Sequence, residues 1–265
     1  MTVQRRGAAI EIAGLLKEYV SAAGRVLALD GIDLKIAAGE FICIVGPSGC
    51  GKSTLLRILA GLDHQTSGTI TVHAEGWAVE NAMVFQESGL FPWMSVETNV
   101  GFGLMTRGVP AAEAAERIDA ALKLVGLTKF RRHYPHQLSG GMRQRSAIAR
   151  AFVTDPGVLL MDEPFAALDA QNRVILQAEL VRIWEHTRKT VIYITHSIEE
   201  ALLLGDRTVV MTAQPGRIKR IIDVPFPHPR NLMTLSASAE FGKLKLDIWR
   251  VLEDEVMRAR AEEEK

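Results

Sequence analysis

Gly46-Pro47-Ser48-Gly49-Cys50-Gly51-Lys52-Ser53-Thr54 is the stretch from which the rest of the chain is read. It fits G-x-x-x-x-G-K-[ST], in which the glycines let backbone N–H groups converge on an anion. A helix beginning at Lys52 would aim the positive end of its dipole at the same point. Lys52 would reach the β- and γ-phosphates of a nucleotide, and the Ser53 hydroxyl would ligate Mg²⁺. The bare pattern arises by chance in about 1 in 100 chains of this length, so its flanks decide the matter. Phe41-Ile42-Cys43-Ile44-Val45 before it reads as a buried strand, and Leu55, Leu56, Ile58 and Leu59 after it form one helical face that stops at Gly61. A dinucleotide fingerprint is excluded, because Thr54 stands where its third glycine belongs.

Reading outward, Ile10 and Ile12, then Ile32, Leu34 and Ile36, alternate with polar or small neighbours as β strands do. Residues 68–72 and 83–85 read as further strands. A helical middle follows, with helices over 111–125 and from Ser139 to about residue 153. Strands over 158–161, 190–195 and 208–212 then alternate with helices over 170–187 and 198–204. This alternation predicts an α/β sheet with crossover helices. Beyond Gln214-Pro215-Gly216 lies a proline-rich stretch, then a last helix from about Ser236 and an acidic tail, Glu262-Glu263-Glu264.

Two further places carry chemistry. The apolar strand at 158–161 ends in Asp162 and Glu163, the first placed to hold a Mg²⁺ shell and the second to polarise an attacking water. Leu138-Ser139-Gly140-Gly141 puts a hydroxyl and two unhindered backbone amides at a helix start, a second anion site. Between residues 120 and 154 stand seven basic side chains and no acidic ones (Lys123, Lys129, Arg131, Arg132, Arg143, Arg145, Arg150). They read equally well as a field for a polyanion and as a solvated face with packing arginines.

Composition narrows the classes. The chain has 265 residues, enough for a core without disulfides or structural metals. Its 31 basic and 31 acidic residues balance, which argues against a general nucleic-acid coater. Cys43 and Cys50 are the only cysteines, no disulfide framework, and fit a reducing compartment. Neither a secretory stretch nor a run of the ~20 apolar residues needed to span a bilayer occurs.

Taken together, these residues resemble the ATP-binding subunit of an ABC (ATP-binding cassette) transporter. Gly46 to Thr54 matches Walker A, Leu138-Ser139-Gly140-Gly141-Met142-Arg143-Gln144-Arg145 the signature, and residues 159–163 Walker B. Gln86 resembles the Q-loop glutamine, Ala167-Leu168-Asp169 the D-loop and His196 the switch histidine. Tyr19 matches the aromatic that stacks on adenine. The resemblance covers essentially the whole chain. It implies a P-loop NTPase fold with a RecA-like α/β core, an antiparallel β subdomain and a helical signature subdomain. The corresponding division is residues 1–85 and 155–225 for the core with its β subdomain, 86–154 for the helical subdomain and 226–265 for a helical tail. It also implies ATP and Mg²⁺ as ligands, with Ser53, Gln86 and Asp162 at the metal and Glu163, His196, Gln86 and Lys52 at the reacting phosphate. Two subunits would meet head to tail, Ser139, Gly140, Gly141 and Asp169 of one closing over the Walker A nucleotide of the other. Met142 and Ala167 depart from the commoner Gln and Ser without removing a group the chemistry needs.

Gly89-Leu90-Phe91-Pro92-Trp93, Tyr134-Pro135-His136-Gln137, residues 211–218, Phe226-Pro227-His228-Pro229-Arg230 and Glu240, Phe241, Ile248 and Trp249 resemble importers of the nitrate, sulfonate, taurine and bicarbonate type. That resemblance implies a homodimer docked on transmembrane permease subunits at the cytoplasmic face of the inner membrane, with a periplasmic or extracellular solute-binding protein as an indirect partner and no nucleic acid. Only 69 residues follow His196, too few for an added β-barrel domain. A soluble ABC ATPase acting on nucleic acid or ribosomes is the alternative, although the chain has neither two cassettes nor a long coiled-coil insertion. A nucleotide-sensing module without turnover fits poorly with Glu163 and His196 both present. Small GTPases are disfavoured because no N-K-x-D guanine motif occurs.

Overall fold

A computed structural model describes residues 7–22, 24–74, 80–166 and 168–263. In chain order the elements are β1 (Ala9–Ser21), β2 (Gly24–Ile36), β3 (Phe41–Val45), α1 (Lys52–Leu59), β4 (Ser67–His73) and β5 (Asn81–Val84). Then come α2 (Val96–Thr106), α3 (Ala111–Leu124), α4 (Gly140–Phe152), β6 (Val158–Asp162), α5 (Ala170–Thr187) and β7 (Thr190–Ile194). The chain continues through α6 (Ile198–Leu204), β8 (Arg207–Met211), β9 (Ile218–Asp223), α7 (Leu232–Ser236) and α8 (Ala239–Glu263).

Two sheets result. A three-stranded antiparallel sheet has the order β2-β1-β4, and a six-stranded sheet has the order β5-β6-β7-β3-β8-β9. The larger is parallel except for β9, which runs antiparallel to β8. Its central strand β3 is buried at all five residues, which explains the unbroken apolar run. Strand alternation sends Ile42 and Ile44 to one face, where they pack with Leu55, Leu56 and Ile58 of α1 and with Ile10, Ile12, Ile32 and Leu34 of the smaller sheet. Phe41, Cys43 and Val45 face the other way, into a cluster with Leu176, Leu180 and Trp184 of α5, Leu202 of α6 and Ile248 of α8. Helix α1 is therefore held between two sheets.

Helices α2, α3 and α4 are inserted between β5 and β6, which lie side by side in the sheet from Asn81 opposite Val158 to Val84 opposite Met161. Several elements differ from the sequence expectation. Helix α2 escaped it because Gly101 and Gly103 argue against a helix. Packing supplies the reason for both, since a Cβ on Gly101 would stand 2.5 Å from Ile118 Cδ1 and one on Gly103 2.8 Å from Thr154 Cγ2. Strand β9 is not among the strands that the sequence predicts; it is an edge strand carrying Lys219 and Arg220 among its isoleucines. The strand expected at 83–85 spans Asn81–Val84, leaving Phe85 beyond its end. The last helix is two, broken at residues 237–238, where the Ser238 hydroxyl accepts from Phe241 N–H and restarts the chain as α8.

Candidate functional site

The loop from Gly46 to Gly51 leaves the carboxyl end of β3 and enters α1, so its amides are fixed by the sheet below and the helix above. Gly51, in the N-cap position, has φ 95°, and a Cβ there would stand 2.7 Å from Ala28 O. Gly46 has no room for a side chain either: its Cβ would lie 2.8 Å from Cys50 Sγ and 3.1 Å from Met211 Cβ. These are the physical reasons for glycine at both positions. Cys50 is 1% exposed, and burial pushes its thiol pKa up, so it serves as packing beneath the loop rather than as a nucleophile. Lys52 Nζ bends over the loop and donates to Gly46 O at 2.9 Å and Pro47 O at 2.7 Å.

A cleft of about 360 Å³ opens above this loop, lined by Ser48, Gly49, Cys50, Gly51, Lys52, Ser53, Thr54, Tyr19, Glu163 and His196, with Val26, Ala28 and Gln214 completing the wall. The Ser53 hydroxyl donates to Asp162 Oδ1 at 3.1 Å, across 109 residues of sequence. Two hard oxygen ligands side by side suit Mg²⁺, which keeps its remaining positions for water and phosphate oxygens. Among the described residues no cluster of three His, Cys, Asp or Glu stands ready to hold a metal on its own. The Ser53 and Asp162 oxygens fit Mg²⁺ bound together with a phosphorylated ligand.

Glu163 follows Asp162 at the end of β6 and adopts φ 46°, a region non-glycine residues rarely occupy. Its N–H donates to Ile194 O at 3.1 Å, tying it to the end of β7. Its Oε1 lies 2.5 Å from Nε2 of His196, which sits two residues past β7 and is itself exposed. Parallel pairing of β6 with β7 thus brings together a carboxylate and an imidazole that lie 33 residues apart.

Tyr19 lines the cleft and is 40% exposed. Its hydroxyl donates to Asp63 Oδ2 at 2.7 Å, while Lys17 Nζ donates to Asp63 Oδ1 at 2.6 Å and stands 4.6 Å from the ring centroid. These hydrogen bonds, that of Lys17 first, hold the Asp63 carboxyl at about 2. Sequence reading found Tyr19 but missed Asp63 and Lys17, whose contact depends on β1 passing the end of α1. Val26, Ala28 and Gln214 were also missed, since no residue-type signal marks a cleft wall.

The other expected site residues lie elsewhere on the chain. Ser139 caps α4, its hydroxyl accepting from Met142 N–H at 3.3 Å, with Ser139 and Gly140 exposed and Gly141 half-buried. A Cβ on Gly140 would stand 3.9 Å from Leu168, and one on Gly141 4.0 Å from Asn172, so this glycine pair lies against the start of α5. Asp169 caps that helix, accepting from Asn172 N–H and from the Asn172 amide; these bonds hold its carboxyl below the usual range. Ala167 lies outside the described residues, as does Glu264 of the acidic tail. Gln86 is exposed just beyond β5, and neither it, Ser139, Gly140, Gly141 nor Asp169 lines the cleft.

Of the seven basic side chains at 120–154, four are engaged in the protein itself. Arg131 pairs with Glu97 and Asp119, Arg145 with Glu179, Arg143 with Leu138 O, and Arg150 with the carbonyls of Ser88 and Gly89. The packing reading therefore fits these four better than the polyanion field. Arg150 braces the loop bearing Phe91 and Trp93, which buried Asn99 also holds through bonds to Phe91 N–H and the carbonyls of Phe91, Met94 and Ser95. Trp93 is 70% exposed at the tip of that loop.

Comparison with known proteins agrees with this geometry. The profile of the ABC transporter family matches residues 29–166. An uncharacterized ABC transporter ATP-binding protein of Methanocaldococcus jannaschii is 47% identical over 253 residues, covering 94% of this chain and 93% of its own. The nitrate import ATP-binding protein of a Synechocystis species is 46% identical, covering 82% and 83%. Others are named for taurine and aliphatic sulfonate import. A solved dimeric ATP-binding cassette, in a post-hydrolysis state bound to ADP and Pi, is 31% identical with a TM-score of 0.72, covering 82% of this chain and all of its own. The chain belongs to the ABC transporter family and is one of its ATP-binding, ATP-hydrolysing cassettes.

Proposed function

We propose that this cassette powers an importer for a small anion of the nitrate, taurine, sulfonate or bicarbonate class, docked as a homodimer on membrane permease subunits at the cytoplasmic face. The observation that carries the reading is the convergence of the phosphate loop, Ser53 and the Glu163–His196 pair on one cleft, with Asp162 bonded to Ser53. The import names of its relatives support the direction of transport and the solute class. Among the described residues no helix is long and apolar enough to cross a membrane.

The loop amides and the α1 dipole bind the phosphates, and Lys52 exchanges its bonds to the Gly46 and Pro47 carbonyls for phosphate oxygens. Ser53 and Asp162, whose oxygens already lie together, would hold Mg²⁺, with Gln86 as the further ligand that the family resemblance implies, and the ion would neutralise phosphate charge. Glu163 accepts the proton of the attacking water, and His196 fixes the Glu163 carboxylate and reaches the γ-phosphate. Tyr19 stacks on the adenine. Ser139, Gly140 and Gly141 of a second copy, with its Asp169, close the open side, because an exposed helix N-terminus is a ready anion site.

The test is a pull-down from native membranes through a C-terminal tag, with ATPase activity measured on whatever co-purifies. A multi-span permease with ATPase stimulated by nitrate, a sulfonate or bicarbonate is the expected result. Ribosomes or nucleic acid in its place, with no membrane protein, would overturn it.

A further inference from the structure

His196 is exposed at a strand end, where a side chain ordinarily samples several rotamers. Its two neighbours are not free to do so. The Thr195 hydroxyl donates to Glu200 Oε2 at 2.5 Å and accepts from Ser197 N–H at 3.0 Å. The Ser197 hydroxyl in turn accepts from Glu200 N–H at 3.2 Å, so Glu200 grips both sides of the histidine.

Ser197-Ile198-Glu199-Glu200 has the S-x-x-E spacing of a capping box, in which the glutamate side chain would bend back to Ser197 N–H at the surface. Here it does something else. Thr195 takes that N–H, and the Glu200 carboxyl turns inward, with the residue only 8% exposed. There it also accepts from Tyr193 OH at 3.2 Å and from Gln177 Nε2 of α5 at 2.9 Å. Every one of these groups donates to it, an arrangement only an acceptor can satisfy. Arg173 extends the set: its Nε stands 3.9 Å from Glu200 Oε1, and its Nη2 donates to Leu168 O at 2.9 Å, beside Gly140. Burying a carboxyl is unfavourable unless its bonds are made, and capping α6 does not require it.

We propose that Glu200 is a positioning residue for His196, setting the imidazole against Glu163 through Thr195 and Ser197 and linking that loop to the start of α5. The inference rests on the role given to His196 above. It concerns geometry, however, and is readable without turnover.

The experiment uses the 265-residue chain labelled with ¹⁵N-histidine, together with steady-state ATPase kinetics. Thr195→Val keeps the side-chain shape and removes the hydroxyl; Thr195→Ser keeps the hydroxyl. Glu200→Ala removes the hub, and the threonine pair carries the test should that variant not fold. Thr195→Val is expected to lower kcat at least tenfold with KM for ATP within twofold of the parent, and to shift the His196 imidazole resonance. Thr195→Ser should restore both, and Thr195→Val should cost nothing further in a His196→Ala background. An unmoved His196 resonance with kcat within twofold of the parent would overturn the proposal. So would a Thr195→Val loss that persists in full without His196. If His196→Ala alone turns over ATP at the parental rate, the catalytic reading of His196 fails, and the resonance by itself decides whether Glu200 positions the ring.

Discussion

Glu163 occupies a backbone region at φ 46° that costs of order 1–3 kcal/mol for a side-chain-bearing residue, and its carboxylate lies 2.5 Å from His196 Nε2. Strain of that kind persists where the surroundings enforce it, here the bond from Glu163 N–H to Ile194 O. Glu163→Gln keeps the shape and removes the proton acceptor. Phosphate release is expected to fall by about 10²–10⁴-fold while ATP binding, followed by equilibrium titration of a fluorescent analogue, stays within a fewfold of the parent. Asp63 offers a pH-dependent test away from the chemistry. Its carboxyl is held at about 2 against an ordinary 3.8, chiefly by Lys17 and then by Tyr19. A depressed carboxyl contributes stability that is fully present above the unfolded value and is lost as pH falls through the folded one. The difference in unfolding free energy between the parent and Asp63→Asn should thus be constant above about pH 5 and shrink towards pH 2, as denaturant titrations across that range would show. Nothing in the sequence around Gly61-Leu62-Asp63 marks the aspartate, because its partners lie 44 and 46 residues away.

Among the elements, α2 shows why some of the fold could not be read in advance. Its glycines lower the propensity of an isolated helix, yet they let it approach α3 and the Thr154 segment closely, and tertiary packing outweighs propensity. The loop leading into it is organised by Asn99, fully buried, which saturates one backbone N–H and three carbonyls. Asn99→Ala takes that partner from Phe91 N–H and Met94 O, while Phe91 O keeps Met94 N–H and Ser95 O keeps the residue 99 N–H, and it should cost about 2–4 kcal/mol, read as a shift in the urea midpoint at unchanged m-value. Strand β9 was illegible for another reason. Its pattern is that of a half-exposed edge, and only β8 beside it gives its N–H and C=O groups a partner. Helix α4 was legible because Ser139 announces its start by capping, a local interaction that needs no distant residue, whereas the cap that Asp169 gives α5 emerged only in the structure.

For the whole molecule, Ser139, Gly140 and Gly141 do not line the cleft, and the dimer proposed above assigns them to the cleft of a second copy. In a Glu163→Gln background, ATP with Mg²⁺ should drive the chain to a dimer in sedimentation velocity. Adding Ser139→Arg should abolish that dimer and leave ATP binding by the monomer intact, since the bulk falls on an exposed helix end remote from the phosphate loop. The amino-acid sequence by itself determined the phosphate loop, the carboxylates at the end of the β6 segment, the order of α/β elements and the family to which they belong. Each of these rests on near neighbours in the chain: glycine conformational freedom, strand and helix periodicity, capping. The family resemblance already put Ser53 with Asp162 and Glu163 with His196; the tertiary structure supplied their contacts, and it alone decided that Asp63 anchors Tyr19 and that Glu200 turns inward beneath the histidine loop. The physical reason is that strand order and register place those side chains within hydrogen-bond reach, and neither is encoded at any single position.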